Sequence, residues 1–433
     1  MKLTVNLLLL SALLFTTLSC EDFFGSKKDA TTDEIFEVGK RDPKEGDDVV
    51  GYAALLPFWT DITHGFQAPN DIMVGYDELL YVTDDLGLHV LDQAGREFQL
   101  IEFRGANAVA MDRNLNVYVS VRDTFTVRNN AGVTEVYNLP VVYKLRNANG
   151  AGELVYVDTL VFPFDDSSLS TYSAQVRRLD KNRADNYEKV KITGIAVMAD
   201  NSLYVTRSGP SNLIGQIAAP DNIVLEFNRM AIGGQLTEKM RNVRQIRTIN
   251  PTNPNTLISG LNLTSISSFI GPPQRERMSD SRGFLMTQGD TTQNIPYRVL
   301  WILATETVDG LVFTPNPLLL AQDTSKSNSF LYDNFKFKQP TDVTFTTDGT
   351  NYILVTDAGT DSLYLFQSNG NEGVNPPVGS SEVKTINVSF GGFGAGPKQF
   401  KNPSGVTYFR RTVFVADKGN NRIARYRLTT DFE

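Results

Sequence analysis

The sequence predicts an all-β chain assembled from a repeated antiparallel unit, and three observations carry that prediction. Two C-terminal segments align closely, and weaker copies recur upstream. Each copy consists of short apolar or β-branched runs separated by turn residues, without the 3.6-residue period of a helix. Length alone does not decide the matter, because 433 residues can hold several ordinary domains or one large all-β domain.

At the N-terminus, Lys2, the apolar stretch Leu7 to Phe15 and the segment Thr16-Thr17-Leu18-Ser19 before Cys20 follow the grammar of an export signal, too short to span a bilayer. A signal that ends on the chain's single cysteine resembles the lipobox of bacterial lipoproteins, although Thr17 stands where that motif usually has an aliphatic residue. The resemblance implies removal of residues 1–19, diacylglycerol on Cys20 and attachment to the membrane through it. The alternative is a plain secretory signal with an incidental cysteine. Glu21 and Asp22 are similar to the tag that sends some Gram-negative lipoproteins to the cell surface. That implies an outer-membrane lipoprotein exposed on the surface, with a periplasm-facing orientation as the alternative. Residues 20–48, rich in Lys, Asp and Glu and poor in periodic apolar residues, are expected to form a lipidated flexible tether, and residues 49–433 one folded domain. With one cysteine there is no internal disulfide, so stability rests on burial.

The clearest repeat runs Gln339-Pro340-Thr341-Asp342-Val343-Thr344-Phe345, Tyr352-Ile353-Leu354-Val355-Thr356-Asp357, then Asp361 to Phe366. Its partner runs Asn402-Pro403-Ser404-Gly405-Val406-Thr407-Tyr408, Thr412-Val413-Phe414-Val415-Ala416-Asp417, then Asn421 to Tyr426. Upstream, Ala68 to Val74 with Leu79 to Asp84, Ala106 to Asp112 with Asn116 to Ser120, and Ile192 to Val197 with Ser202 to Thr206 repeat the pattern. A more degenerate copy is Leu263 to Ile266 with Gly283 to Thr287.

The last unit, Phe400-Lys401-Asn402-Pro403-Ser404-Gly405-Val406 followed by Val415-Ala416-Asp417-Lys418-Gly419-Asn420-Asn421-Arg422-Ile423, resembles an NHL repeat, and Gly391 to Gly396 is similar to that family's inter-blade loop. The resemblance is clearest over Asn334 to Leu428 and next over Phe66 to Ser120. It implies a single β-propeller, and six copies imply six blades. Pro403 would preset φ at the start of the innermost strand, Asp417 would cap a turn through its carboxylate, and Gly419-Asn420 would tolerate positive φ. No fourth strand follows Leu428, so the apolar run Val49 to Phe58 is expected to supply the outer strand of the last blade and close the ring.

A net charge of -8 and a pI near 5.1 argue against a nucleic-acid partner, whose phosphates need clustered Lys and Arg. With His64 and His89 as the only histidines, zinc, haem and a Ser-His-acid triad lose most of their ligands, and the zinc lyase known among NHL-type propellers is disfavoured. Both histidines, and Trp59 and Trp301, read as structural. Gly392 to Gly396 has no following helix to make it a phosphate loop.

In a propeller the turns between strands two and three and the inter-blade connections share one face. Turns between strands one and two are short at Gly75 to Glu78, Arg113 to Leu115 and Ala199 to Asn201. Longer insertions, Arg122 to Leu139, Asp165 to Glu188, Arg207 to Asp221, Gly271 to Arg282, Thr287 to Pro296 and Ala321 to Phe335, are assigned to the other face. A partner-binding surface is expected there, with Tyr137, Tyr172, Arg177, Arg178, Arg207, Arg275 and Arg277 as candidate anchors. The expected role is protein binding or scaffolding for an outer-membrane protein complex, with no catalytic residue and no cofactor. The alternatives are surface capture of a glycan or peptide, or a calcium-dependent lactonase or esterase using Asn70, Asp71, Asn107 and Asp342 at the channel, residues that would otherwise cap the inner strands.

Overall fold

The computed structural model describes residues 50–128, 133–147, 153–161, 188–209, 223–246, 262–272, 282–289, 295–308 and 310–431. The expected signal peptide and tether, Cys20 included, lie outside the described residues.

The chain enters through β1 (Tyr52–Ala54) and β2 (Trp59–Thr60), then builds blade one from β3 (Asp71–Val74), β4 (Leu80–Thr83), β5 (Gly87–Leu91) and β6 (Glu97–Glu102). Blade two is β7 (Val109–Met111), β8 (Asn116–Arg128), β9 (Thr134–Asn147) and β10 (Leu154–Val161). Blade three is β11 (Lys191–Val197), β12 (Leu203–Ser208), β13 (Ile223–Ile232) and β14 (Gln235–Ile246). Blade four is β15 (Leu263–Ser268), β16 (Phe284–Gln288), β17 (Val299–Thr307) and β18 (Gly310–Pro315). Blade five is β19 (Pro340–Phe345), β20 (Tyr352–Asp357), β21 (Ser362–Gln367) and β22 (Phe390–Gly391). Blade six is β23 (Pro403–Phe409), β24 (Thr412–Asp417) and β25 (Arg422–Leu428), completed by β1. The inner strands pack in a cycle, β3 on β7, β7 on β11, β11 on β15, β15 on β19, β19 on β23 and β23 back on β3. The chain is a six-bladed β-propeller, and the degenerate fourth repeat is a complete blade.

Closure follows the expected route. In antiparallel register, Tyr52 pairs with Leu428, Ala53 with Arg427 and Ala54 with Tyr426, and β2 resumes the edge with Trp59 opposite Ile423. The N-terminal strand therefore covers the edge that β25 would otherwise leave open. Arg425 spans the break, donating to the Pro57 carbonyl at 2.8 Å with its guanidinium 4.8 Å from the Trp59 ring centroid.

The core lies between blades rather than at one centre. Leu88, Val119 and Val141 meet between blades one and two, and Leu354, Val415 and Tyr426 between blades five and six. A second strand is covered on both faces, which is why β12 and β24 are buried at every position and read as unbroken runs. Trp59, Trp301 and His89 are buried, consistent with structural roles.

Four details differ from the sequence reading. Most of Arg122 to Leu139 is a ribbon in which β8 and β9 stay paired from Arg122 opposite Pro140 out to Arg128 opposite Thr134. Gly271 and Arg282 flank the connection between strands one and two of blade four, so these two residues lie on the face of the short turns. The segment Ala321 to Phe335 docks beside the strand three to four connection of blade five, with Leu331 N–H donating to Gly370 O at 2.8 Å and Phe330, Leu331 and Tyr332 buried. Positive φ falls on Asn421 (49°), and on Asp361 (49°) in blade five, rather than on Gly419 or Asn420. Gly419 answers a different need, since a Cβ there would lie 2.6 Å from the Lys401 carbonyl.

Candidate functional site

Inner strands of six blades converge on an axial channel, and the same position near the start of each carries a small polar residue: Asn70, Asn107, Thr193, Thr264, Thr341 and Ser404. Five of them reach across a joint to the backbone of the next blade. Asn70 Nδ2 donates to Ala106 O at 2.8 Å and Asn107 Nδ2 to Ile192 O at 2.9 Å. Hydroxyls do the same elsewhere, Thr264 to Pro340 O at 2.8 Å, Thr341 to Pro403 O at 2.7 Å and Ser404 to Pro69 O at 2.6 Å. At the remaining joint Thr193 bonds Thr206 within its own blade, and Ser208 Oγ donates to Asn262 Oδ1 at 2.7 Å instead.

One residue deeper the sequence runs Asp71, Ala108, Gly194, Ser265, Asp342 and Gly405 around the waist of the channel. Little room exists there, as a Cβ on Gly405 would sit 2.9 Å from Asp71 Cα and one on Gly194 2.8 Å from Ile266 N. Asp71 accepts the N–H of Ile72 at 2.7 Å and, across the joint, that of Val109 at 2.9 Å. Asp342 accepts Val343 N–H at 2.8 Å, Val406 N–H at 2.6 Å and the Ser265 hydroxyl. Burial pushes the Asp71 carboxyl up to about 6, and burial followed by the charge of Asp71 pushes Asp342 up to about 8. Near neutral pH the pair therefore retains a proton.

The waist separates two cavities. Toward the face of the short turns lies one of about 130 Å³, lined by Val74, Met111, Val197 and Ile266 among others. Toward the face of the ribbon lies a polar one of about 250 Å³, bordered by Lys191, Thr193, Thr264, Thr341, Ser404 and Lys418. A neighbouring cavity of about 240 Å³, over blade two and bordered by blades one and three, shares Asn70, Asn107 and Lys191 with it. Lys418 Nζ donates to Asn70 Oδ1 at 2.6 Å.

The structure thus brings Asn70, Asp71, Asn107 and Asp342 together at the hub, but the two amide N–H donors and both carboxyls are engaged in joining blades. Calcium asks for six to eight oxygens. Here an ammonium group holds Asn70 Oδ1, and all four carboxylate oxygens of the two aspartates accept backbone N–H donors. Among the described residues no group of three or more His, Cys, Asp or Glu side chains is placed to hold a metal ion. The hub residues do not fit calcium.

Of the partner-binding candidates, Tyr137 and Arg207 are buried, at 6% and 1% exposure, so neither is offered at the surface. Tyr137 sits on the lower ribbon with its ring in the core between blades one and two. Arg207 occupies the end of the second strand, where blades one, five and six carry Asp84, Asp357 and Asp417. Those aspartates accept N–H donors from the segment before the inner strand, at Gln67, Lys338 and Lys401 respectively. Asp417 also accepts from Asn420 Nδ2 at 2.8 Å, a side-chain contact in place of the expected cap, since its carboxylate takes no backbone N–H of that turn. Tyr172, Arg177, Arg178, Arg275 and Arg277 lie outside the described residues. Sequence reasoning missed Lys191 and Lys418, and it missed the pairing of Asp71 with Asp342. Aligning the inner strands column by column reveals the aspartates at one shared position.

No protein-family profile matches the chain, and no curated protein does. Among solved structures it is similar to a protein of unknown function from Bacteroides thetaiotaomicron, at 16% identity over 89% of this chain and 73% of that one, with a TM-score of 0.47. An auxiliary nutrient binding protein from the same organism is similar at 11% identity over 89% and 74%, with a TM-score of 0.46. A gluconolactonase from Xanthomonas campestris is similar at 9% identity over 88% and 89%, with a TM-score of 0.43. These likenesses are of fold alone. The propeller assignment rests on this chain's own six sheets and their closed cycle.

Proposed function

We propose that this chain is a binding module rather than a hydrolase: a lipoprotein tethered through Cys20 to the bacterial outer membrane that serves as a scaffold or accessory subunit of an envelope protein complex. The observation that carries the reading is the use made of the hub. Its amide and hydroxyl donors, at the place where a propeller hydrolase would concentrate its chemistry, are directed to blade-to-blade hydrogen bonds, and the Lys418 ammonium group donates to Asn70 Oδ1.

Recognition then falls to the face that bears the strand two to three turns. There the ribbon of β8 and β9 rises on the order of 25 Å past the hub, at about 3.3 Å per residue. The described chain begins on the opposite face, where Gly51 O accepts the N–H of Thr429 at 2.8 Å. An anchor joined there through the tether of residues 20–48 would leave the ribbon face free for a partner, with tethering raising the effective concentration for docking.

Chemical cross-linking of membrane fractions, read by mass spectrometry, tests this with a variant in which residues 124–138 are replaced by a short turn. The reading expects the intact protein to cross-link to an envelope protein and the shortened variant to lose that product. The same product from both would overturn it.

A further inference from the structure

We propose that the polar cavity on the ribbon side of the hub binds a compact polyhydroxylated anion, the chemistry shared by sugar acids and sugar phosphates. This goes beyond the protein-partner reading and does not depend on it, because the ligand binds at the hub and not on the ribbon.

The argument begins from the direction of the hydrogen bonds. Thr264, Thr341 and Ser404 each direct a hydroxyl toward a backbone carbonyl of the next blade, with Thr287 Oγ1 at 2.7 Å, Thr356 Oγ1 at 3.1 Å and Ala416 O at 3.2 Å as their further partners. A hydroxyl has one proton and two lone pairs, so after these bonds at least one lone pair on each oxygen remains to accept from a ligand. Asn107 donates its amide N–H to Ile192 O, which leaves Oδ1 in the same role. The wall is therefore a crown of oriented acceptors, and a ligand that fills it supplies several O–H donors.

Two ammonium groups, Lys191 and Lys418, border the same cavity, and they supply the complementary demand for an anion. Beneath them the aspartate pair retains a proton, so the floor does not cancel both cations. Among the described residues no aromatic ring lines the cavity. Its volume of about 250 Å³ fits a single sugar-sized occupant. The adjoining cavity over blade two, which shares Lys191, gives a substituent further room.

Isothermal titration of the purified protein with glucuronate, glucose 6-phosphate and neutral glucose tests the proposal. At least one anion is expected to bind, and glucose about tenfold more weakly, the effect of losing a hydrogen bond to a charged group. Binding of glucuronate alone identifies a carboxylate ligand, and binding of glucose 6-phosphate alone a phosphate ligand. Lys191→Gln and Lys418→Gln should each erase the preference for the anion, with circular dichroism confirming that the fold is retained. Thr341→Val should weaken all three sugars, because it removes an acceptor used by the hydroxyls. Glucose binding as tightly as the anions, or no binding by any of the three, would overturn the proposal. Since titration uses the protein alone, its failure is separable from failure to find a cross-linked partner.

Discussion

Asp342 Oδ2 accepts the backbone N–H of Val406 at 2.6 Å, so a buried carboxyl on blade five holds the inner strand of blade six. Asp71 does the same from blade one to blade two through Val109. Both carboxyls are raised, by burial first and for Asp342 then by the charge of Asp71, so the folded state holds their protons more tightly than an unfolded chain with its carboxyl pKa of about 3.9. The stability this contributes is complete below that value and is lost as pH rises through about 6 and then about 8. Asp71→Asn removes the charge that raises Asp342, and the upper part of the loss should then move to lower pH. Urea denaturation followed across pH measures this; an upper step that stays in place would contradict it.

His89 gives a second pH signature with a different window. Its Nε2 meets Asp84 Oδ2 at 2.9 Å and its Nδ1 meets Glu97 Oε1 at 2.6 Å. Burial opposes the charged ring, but the hydrogen bonds and charges of Asp84 and Glu97 outweigh it and raise the His89 pKa. For Asp84, burial is likewise outweighed, by the His89 bond and the N–H of Gln67 and Gly87, and its pKa is lowered. The clamp is strongest above the titration of Asp84 and below about pH 6.5, and it is lost as pH rises through the folded value for His89. The stability advantage over His89→Gln should shrink above that pH. A pH-independent difference in denaturation free energy would contradict it.

Ring closure makes Tyr52 costly to remove, because its ring is buried against Phe390 at a centroid distance of 5.7 Å while its backbone pairs with Leu428. Truncation to Ala should cost about 3 kcal/mol, the lower end for a core aromatic. Hydrogen exchange should then show β25 amides losing protection first. Equal loss across all blades would mean that closure does not set the weak point.

Gly405→Ala tests the narrow waist, where the new methyl would meet Asp71 Cα at 2.9 Å and Ile72 N at 3.1 Å. A cost of about 1–3 kcal/mol is expected, as for other overpacked sites. Gly51→Ala, with nothing within 4 Å, is the matched control and should change thermal stability little. Similar effects of both substitutions would count against the tight packing described.

Much of this architecture was legible because each blade must repeat one strand pattern to bury its two faces. Pro340 and Pro403 mark inner strands, and the run Val49 to Phe58 had no partner except the open edge of β25. Connections were less legible, since a blade constrains its strands more than its turns. Ser268 pairs with Phe284 across a long segment, although the other blades suggested that this turn type is short. Arg207 and Tyr137 looked like surface residues by type, yet one fills a position that blades one, five and six give to aspartate and the other lies where the ribbon is still covered by its neighbour. The aspartate pair is far apart in sequence and meets only because the ring closes.

Recognition by the ribbon face is tested most directly with a photo-reactive amino acid placed at single exposed positions in living cells. Val136 lies on the ribbon and is 63% exposed, whereas Ala94 is exposed in a turn on the opposite face. Irradiation should yield a discrete protein adduct from position 136 and none from position 94. Adducts from position 94 alone would contradict the account.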